Sequence, residues 1–450
     1  MSQHQNFLHS FIQRIGVGRL DKKTPHPEGV IKLCHQLVSN NSETTSFSLA
    51  KTILENITYF TEEQKKSFFY SLLNQFSVDK SKINNAITEL NFDDEKQLRN
   101  LQKLVEPKSQ ELLRRLNQVP NGTAILLKIR ESLLESIKDS PELKPLDTDF
   151  LHLFRSWFNR GFLRLERIDW STSAQVLEKI MEYEAVHDIS DWDDLQNRVA
   201  APDKRLYAFF HPALPNEPLI FIEVALMNGI PNSINSILNR DVEPINPLSA
   251  TTATFYSISN CQMGLKNVSF GSFLIKQVVA EIEQEFKQIK QFITLSPVPG
   301  LKKWANNILL SEDKGLPENT LEDIKECCGN RKPSQIALAR LTYHYLTQVK
   351  RKNGQAFNPV AHFHLGNGAS LYKIHTEANN NKMSLEDSWG VMVNYLYDLD
   401  SVTKNHEDYA NSDLIAASPK LKKTVQNNQK KSHILLNLKS INLSRSPNFV

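Results

Sequence analysis

The chain has 450 residues, which is enough for two domains that each bury a substantial core. Hydrophobic residues make up 40% and charged residues 23%, values typical of a globular protein rather than a disordered or membrane-embedded one. The net charge of +3 is too small to indicate a nucleic-acid-binding protein. The four cysteines lack zinc-ligand spacing and indicate free thiols in a reducing compartment.

Residues 1–156 are predicted to be nearly all helix. Five stretches carry apolar residues at helical spacing: 48–59, 62–76, 81–90, 93–116 and 123–137. Thr61 and the pair Asp93–Asp94 stand at the starts of two of them as capping candidates. No solenoid repeat is present, so we predict a helical bundle as the first domain, 1–156.

From residue 157 onward, predicted strands alternate with predicted helices. The strand candidates are short, β-branched and aromatic: RLYAFF (205–210), PLIFIEVAL (218–226), TFYSIS (254–259), QFITLS (291–296) and VMVNYLYDL (391–399). Helices are predicted at 173–184, 191–199, 301–310, 321–328 and 334–349. This order indicates an α/β domain, which we place at 157–425. Its last residues, from 418, and a basic tail at 426–450 are expected to be disordered.

The stretch 254–300 is predicted to form a strand, a loop, a helix, a second strand and a turn. The loop contains Lys266 and Gly271, and Ser272 is a candidate N-cap of the helix that follows. A loop that enters a helix presents free backbone N–H groups and the positive end of the helix dipole, which suit phosphate. Because such junctions occur in most α/β proteins, the pattern alone is a weak indication of a phosphate site.

Several motifs in this half resemble the malonyl-CoA decarboxylase family. They are FYSIS (255–259), GSFLIK (271–276), TLSPVPG (294–300), PVAHFHLGNGASLY (359–372) and VMVNYLY (391–397). The resemblance implies an α+β protein of two domains. An N-terminal all-α helical bundle would be followed by an α/β acetyltransferase-like catalytic domain, of the GNAT type, with a mixed central sheet. It also implies that the helical domain self-associates, as a tetramer.

The resemblance further implies an activity, the conversion of malonyl-CoA and a proton to acetyl-CoA and carbon dioxide. Ser296 and His364 match the family's catalytic serine and histidine. Ser296 would position and polarise the substrate. His364, with an ordinary pKa near about 6.5, would protonate the enolate. No cofactor is expected, because the thioester itself accepts the electrons. The acyl-CoA-binding residues would be Lys266, Asn267, Val268, Ser269, Phe270, Gly271, Ser272 and Ile275, together with Ser296 and His364.

Two positions depart from the family pattern. Ser269 stands where the family often carries an acidic residue, which puts the contribution of that carboxylate in doubt. His362 stands where relatives carry arginine. Along a strand, His362 and His364 would share one face at metal-ligand spacing, but we expect no metal there.

Further residues are candidates for the cleft. Asn367 and Gly368 would shape the loop beside His364, and Tyr397 would lie near it. Each candidate also has an ordinary structural interpretation. A serine before proline is common in turns, a lone histidine is more often structural, Asn-Gly is a turn signal, and a strand tyrosine usually packs in the core.

Two other functions remain open from the sequence: a CoA-dependent acyltransferase of the same fold, and a non-enzymatic acyl-CoA-binding regulator. A serine hydrolase is disfavoured, because neither Ser296 nor Ser370 lies in a Gly-x-Ser-x-Gly motif. The expected partners are malonyl-CoA and further copies of the chain, with no nucleic acid and no membrane. The expected location is the cytoplasm, with the mitochondrial matrix as the alternative for a eukaryotic source.

Overall fold

The computed structural model describes residues 26–268, 270, 273–311, 315–423 and 425. Ser269, Gly271 and Ser272 of the predicted binding loop, and the predicted tail at 426–450, lie outside these residues. Contacts divide the chain into two units. The first comprises the residues up to Arg164 together with Phe210–Leu219 and Cys261–Phe270. The second comprises Leu165–Phe209, Ile220–Asn260 and the residues from Gly271 onward.

The first unit is helical, as the sequence predicts. Its helices are α1 (Pro27–Ser39), α2 (Glu43–Thr58), α3 (Glu62–Gln75), α4 (Lys80–Thr88), α5 (Glu95–Leu104), α6 (Lys108–Leu116), α7 (Gly122–Asp139) and α8 (Lys144–Trp157). Thr61 caps α3 in a capping box with Gln64. The single helix predicted at 93–116 is wrong, because the chain breaks between α5 and α6 at Pro107, which precedes α6 as its N-cap. Proline has no N–H to continue a helical ladder.

The second unit is built on a mixed sheet. Among the described residues its strands are β1 (Arg164–Ile168), β2 (Lys204–Phe210), β3 (Pro218–Met227), β4 (Thr252–Asn260), β5 (Gln291–Thr294), β6 (Ser296–Pro297), β7 (Ser370–His375) and β8 (Met392–Tyr397). Their order is β1-β2-β3-β4-β5-β8-β6, with β7 paired to β8. β4 and β5 pair in parallel, whereas β3 with β4 and β5 with β8 pair antiparallel.

Helices fill the connections of this sheet, and one more follows its last strand. They are α9 (Ala174–Tyr183), α10 (Trp192–Ala200), α11 (Asn235–Leu238), α12 (Phe273–Glu285), α13 (Leu301–Leu310), α14 (Glu318–Cys327), α15 (Gln335–Thr347), α16 (Pro359–Gly366), α17 (Lys382–Ser388) and α18 (Val402–Ser412). In α12 the apolar residues Ile275, Val278, Val279 and Ile282 are buried, as their spacing predicts. The fold class is therefore confirmed: a helical N-terminal region precedes a mixed-sheet unit.

The expected disorder from residue 418 is wrong for the first residues after it. The Ser418 N–H donates to the Leu371 carbonyl at 2.9 Å, and the Ser418 hydroxyl donates to the Tyr372 carbonyl at 2.8 Å. The same hydroxyl accepts from the Leu421 N–H. These bonds attach the segment to β7, a long-range contact that lysine-rich local composition does not reveal.

Candidate active site

Ser296, His364 and Tyr397 form one buried hydrogen-bonded group. The Ser296 Oγ lies 3.1 Å from the His364 Nε2, and the His364 Nδ1 lies 2.9 Å from the Tyr397 hydroxyl. Ser296 begins β6, His364 lies in α16 and Tyr397 ends β8, so three separate elements meet here. The structure thus brings together the two predicted catalytic residues and one of the three further candidates.

The burial of this group sets its charge. Burial lowers the pKa of His364 to about 3, so the imidazole is neutral at physiological pH. Burial also raises the pKa of Tyr397 well above 10. The expectation that His364 has its ordinary pKa is therefore wrong, because the residue is only 3% exposed and its ring packs on the Tyr395 ring, with centroids 4.7 Å apart. His364 and Tyr397 are therefore both neutral at physiological pH.

Thr294 and Tyr395, which the sequence analysis did not place in the site, complete the group. The Ser296 hydroxyl donates its proton to the Thr294 Oγ1 at 2.9 Å, and the Tyr395 N–H donates to the same oxygen at 3.1 Å. The Thr294 carbonyl accepts from the Asn394 side chain at 2.8 Å. The spacing of Thr294 and Ser296, two residues apart in an extended segment, was the available signal, since such residues share a face.

His362 does not share a face with His364. Both residues lie in α16, which starts at Pro359 after the N-cap Asn358. The His362 Nδ1 bonds the Tyr409 hydroxyl at 2.9 Å, away from the partners of His364. The idea of a strand with both rings on one side is wrong, because residues two apart on a helix point in nearly opposite directions. Among the described residues no group of three potential metal ligands occurs.

Asn367 and Gly368 end α16, next to His364. The Asn367 side chain donates to the Phe363 carbonyl at 2.7 Å. Gly368 has φ of +87°, and a Cβ there would lie 2.1 Å from the Val402 carbonyl oxygen. Only glycine meets both conditions. The pair therefore fixes the turn from α16 into β7; its catalytic role stays a prediction.

The described part of the predicted binding loop belongs to the first unit. A short turn at Met263–Leu265 precedes exposed Lys266 and Asn267, and Asn267 has φ of 66°. A Cβ on Gly264 would lie 2.4 Å from the Leu127 carbonyl oxygen of α7. The buried Arg130 of α7 donates to the Gly264 carbonyl at 2.5 Å.

These contacts hold the start of the loop against α7. The loop residue Val268 is buried and Phe270 half-buried, and in the second unit Ile275 is buried in α12. The role of these residues in binding stays a prediction.

A second buried polar cluster surrounds Arg198 of α10. Its guanidinium donates to the His187 carbonyl at 2.8 Å, to the Asp188 carbonyl at 2.8 Å and to both oxygens of Asp194 at 3.2 Å. It also contacts Glu223 of β3 at 3.3 Å. Burial raises the pKa of Glu223 to about 8. The cluster joins β3 to the loop between α9 and α10.

The raised pKa of Glu223 predicts a dependence of stability on pH. The folded chain keeps this proton up to about pH 8, whereas the unfolded chain loses it near pH 4.5. The stability contribution is therefore complete below pH 4.5 and is lost as pH rises through 8, by at most about 1.4 kcal/mol per pH unit.

We expect Glu223→Gln to remove this dependence. Urea unfolding at pH 5 and pH 8 should show the parent losing stability relative to the variant at the higher pH. The same substitution at exposed Glu63 is the control, and should show no such difference. If the parent instead became more stable relative to the variant as pH rises, Glu223 would be ionised in the folded chain.

Two family models match this chain. One, described as the malonyl-CoA decarboxylase C-terminal domain, matches residues 161–434, and one described as the malonyl-CoA decarboxylase N-terminal domain matches residues 76–158. In the described part of the chain, no helix has both the length and the apolar content to cross a bilayer.

Named relatives and solved structures agree with the family models. A protein from Anser anser anser named "Malonyl-CoA decarboxylase, mitochondrial" is 36% identical over 362 residues, covering 73% of this chain and 71% of the relative. The protein of the same name from Mus musculus is 35% identical over 362 residues, covering 72% and 73%. The crystal structure of malonyl-CoA decarboxylase from Rhodopseudomonas palustris superposes with a TM-score of 0.83 at 42% identity, covering 88% of this chain and 99% of that one.

Proposed function

Because the chain belongs to the malonyl-CoA decarboxylase family, we propose that it converts malonyl-CoA and a proton to acetyl-CoA and carbon dioxide. The observation that carries the proposal is the buried hydrogen-bonded group of Ser296, His364 and Tyr397. Decarboxylation leaves an electron pair on the α-carbon, and the thioester takes it up as an enolate. The protein must orient the departing carboxylate, stabilise the enolate and supply one proton to carbon.

Ser296 orients and polarises the substrate in this proposal. Its hydroxyl is held between the Thr294 Oγ1 and the His364 Nε2 in the free protein. On binding, the hydroxyl donates to the malonyl carboxylate and sets the breaking carbon–carbon bond perpendicular to the thioester plane. In that orientation the electron pair released by carbon dioxide overlaps the thioester carbonyl.

His364 supplies the proton to carbon. Because its pKa is lowered to about 3, the donor is the neutral imidazole rather than an imidazolium. A thioester enolate is basic enough to take a proton from a neutral ring N–H. Solvent then restores that proton, so each turnover consumes one proton. The Tyr397 hydroxyl bonds the Nδ1 and holds the ring in the tautomer and orientation that the transfer needs.

The nucleotide end of the substrate is assigned by resemblance. We propose that the loop Lys266, Asn267, Val268, Ser269, Phe270, Gly271 and Ser272, with Ile275, binds the coenzyme A moiety. Exposed Lys266 offers a positive charge to the pyrophosphate, and the left-handed Asn267 turns the chain there.

The decisive experiment is a turnover assay with malonyl-CoA alone. Purified protein in EDTA, without any amine or alcohol acceptor, should release carbon dioxide and form acetyl-CoA in equal amounts. In deuterium oxide the acetyl-CoA should gain one deuterium at the α-carbon, because the proton to carbon comes from solvent through His364. Acyl transfer that requires an added acceptor would instead identify an acyltransferase. Tight binding of malonyl-CoA without turnover would identify a regulator.

We also propose that the helical unit mediates self-association, as a tetramer. The hairpin formed by α4 and α5 has no fully buried side chain. Its exposed apolar side chains include Ile87, Phe92 and Leu98. The family resemblance favours a second copy of this chain as the occupant of that surface.

The double variant Phe92→Asp with Leu98→Glu tests this surface. Light scattering should show a mass below that of the parent assembly, because two charges would have to be buried between copies. Tyr59→Asp is the matched control, since Tyr59 lies outside the hairpin and is 77% exposed, as Phe92 is. A parent protein that is monomeric, or an assembly that the double variant leaves intact, would contradict the proposal.

For location, we propose the cytoplasm, with the mitochondrial matrix as the alternative. The names of the goose and mouse relatives contain the word mitochondrial, which supports the alternative for a eukaryotic source. Fractionation of the source cells with an antibody against the chain distinguishes the two.

A further inference from the structure

We propose that Thr294 is a positioning residue that sets the direction of the Ser296 hydroxyl during the reaction. The inference rests on the proposed decarboxylase activity and extends it to a residue that does not touch the substrate. Thr294 is fully buried at the end of β5, two residues before Ser296.

The Thr294 Oγ1 is fixed by a donor that cannot change its role. The Tyr395 N–H donates to this oxygen at 3.1 Å, and a backbone N–H can only donate. One acceptor position of the oxygen is therefore always occupied. The remaining lone pair accepts the proton of the Ser296 Oγ, which lies 2.9 Å away. The Thr294 hydroxyl proton can turn to the same serine oxygen.

This arrangement lets the two hydroxyls exchange roles. In the free protein the Ser296 hydroxyl donates to the Thr294 Oγ1. When a substrate carboxylate arrives, the Ser296 proton turns to that carboxylate, and the Thr294 hydroxyl turns to donate to the Ser296 Oγ. The serine oxygen then keeps its hydrogen bond to the Thr294 Oγ1 in both states.

The same strand supports the imidazole. The Tyr395 ring packs under His364 with an interplanar angle of 25°, while the Tyr395 N–H holds Thr294. The Asn394 side chain fixes the Thr294 backbone through its carbonyl at 2.8 Å. Consecutive residues of β8 thus position the serine, through Thr294, and the histidine directly. A loosened Thr294 should misdirect the serine without moving the ring.

The test compares Thr294→Ser with Thr294→Ala. Both variants lose the methyl group, so their difference isolates the hydroxyl. We expect kcat of the Ala variant to be about tenfold below that of the Ser variant, with KM for malonyl-CoA within about twofold. The Ser variant should stay within about threefold of the parent, a rescue that depends on the hydroxyl.

Thr254→Val is the matched control. Thr254 is a fully buried threonine of the neighbouring strand β4, paired with Ile293, and its hydroxyl has no hydrogen-bond partner. Its replacement should leave kcat unchanged. Equal kcat for the Ser and Ala variants would overturn the inference, as would a loss of kcat in both accompanied by equal losses of Tm.

Ser296→Ala, assayed in the same series, separates the two levels of the proposal. If Ser296→Ala turns over malonyl-CoA as the parent does, the proposed site itself is wrong. If Ser296→Ala is inactive and Thr294→Ala is as active as Thr294→Ser, only the positioning role is wrong. Should Thr294→Ala fail to fold, Thr294→Val provides the comparison: it keeps the side-chain shape and lacks the hydroxyl, and kcat equal to that of Thr294→Ser would reject the role.

Discussion

His364→Asn is expected to lower kcat by about a thousandfold while leaving KM for malonyl-CoA close to that of the parent. The reason is that the imidazole donates the proton that completes the reaction, whereas the nucleotide that dominates binding lies elsewhere in the proposal. Asparagine is small enough for the His364 site, but it lacks the ring nitrogen that donates the proton and the second nitrogen that bonds Tyr397. The loss should therefore appear in the chemical step, as seen in single turnovers.

A double-mutant cycle with Ser296→Ala makes the test sharper. The two side chains are 3.1 Å apart and act on one substrate, so their effects should not add. The double variant should be about as slow as the slower single variant. His152→Asn is the control for the substitution itself, because His152 is exposed on α8. Additive losses would mean that the serine and the histidine act in separate steps, and an active His364→Asn would remove the histidine from the mechanism.

The motif around His364 predicted the residue but not the element that carries it. The alternation in HFH resembles a strand, and this led to the wrong expectation of two rings on one face. The better signal was Asn358 followed by Pro359, an N-cap and a proline at the first helical position. The Asn358 side chain does accept from the Ala361 N–H at 2.9 Å. A helix start therefore outweighs a three-residue alternation.

The meeting of Ser296 and His364 could be inferred only through the family resemblance. The residues are 68 positions apart, and no local rule joins the start of β6 to α16. Thr294 and Tyr395 were missed for a related reason. A buried threonine in a strand looks like ordinary core, and the role of the Tyr395 N–H depends on the pairing of β5 with β8. Backbone donors have no signature in the sequence.

Local chemistry was more informative for the helices. Thr61 capped α3 as expected, and the apolar spacing of α12 corresponds to its buried face. The error at Pro107 shows where a periodic pattern misleads, since apolar spacing continued across a residue that cannot continue the hydrogen-bond ladder. The domain boundaries at 156 and 425 stay predictions.

Arg198→Met is expected to lower the free energy of unfolding by about 3 kcal/mol. Arg198 is 2% exposed and donates to two carbonyls and to the Asp194 carboxylate. Methionine fills much of the same volume but donates nothing, so the buried His187 carbonyl would lose its donor and Asp194 would keep only the Ser190 N–H. Glu223 adds less to the cost, because its raised pKa keeps the carboxyl largely protonated at pH 7, so little unpaired charge is left.

A variant of the other charged side chain separates the contribution of the Glu223 carboxyl from that of the Arg198 guanidinium. Glu223→Gln keeps the shape and a polar head, and at pH 7 it should cost less than about 1 kcal/mol, since the native carboxyl is largely protonated there. Arg99→Met removes an exposed arginine paired with Glu95, and its cost should stay within about 0.5 kcal/mol. In urea unfolding of all three variants, Arg198→Met should therefore have by far the lowest free energy of unfolding. If Glu223→Gln were as damaging as Arg198→Met, the charge pair would be the main source of stability, and the hydrogen bonds to the 187–188 carbonyls would be secondary.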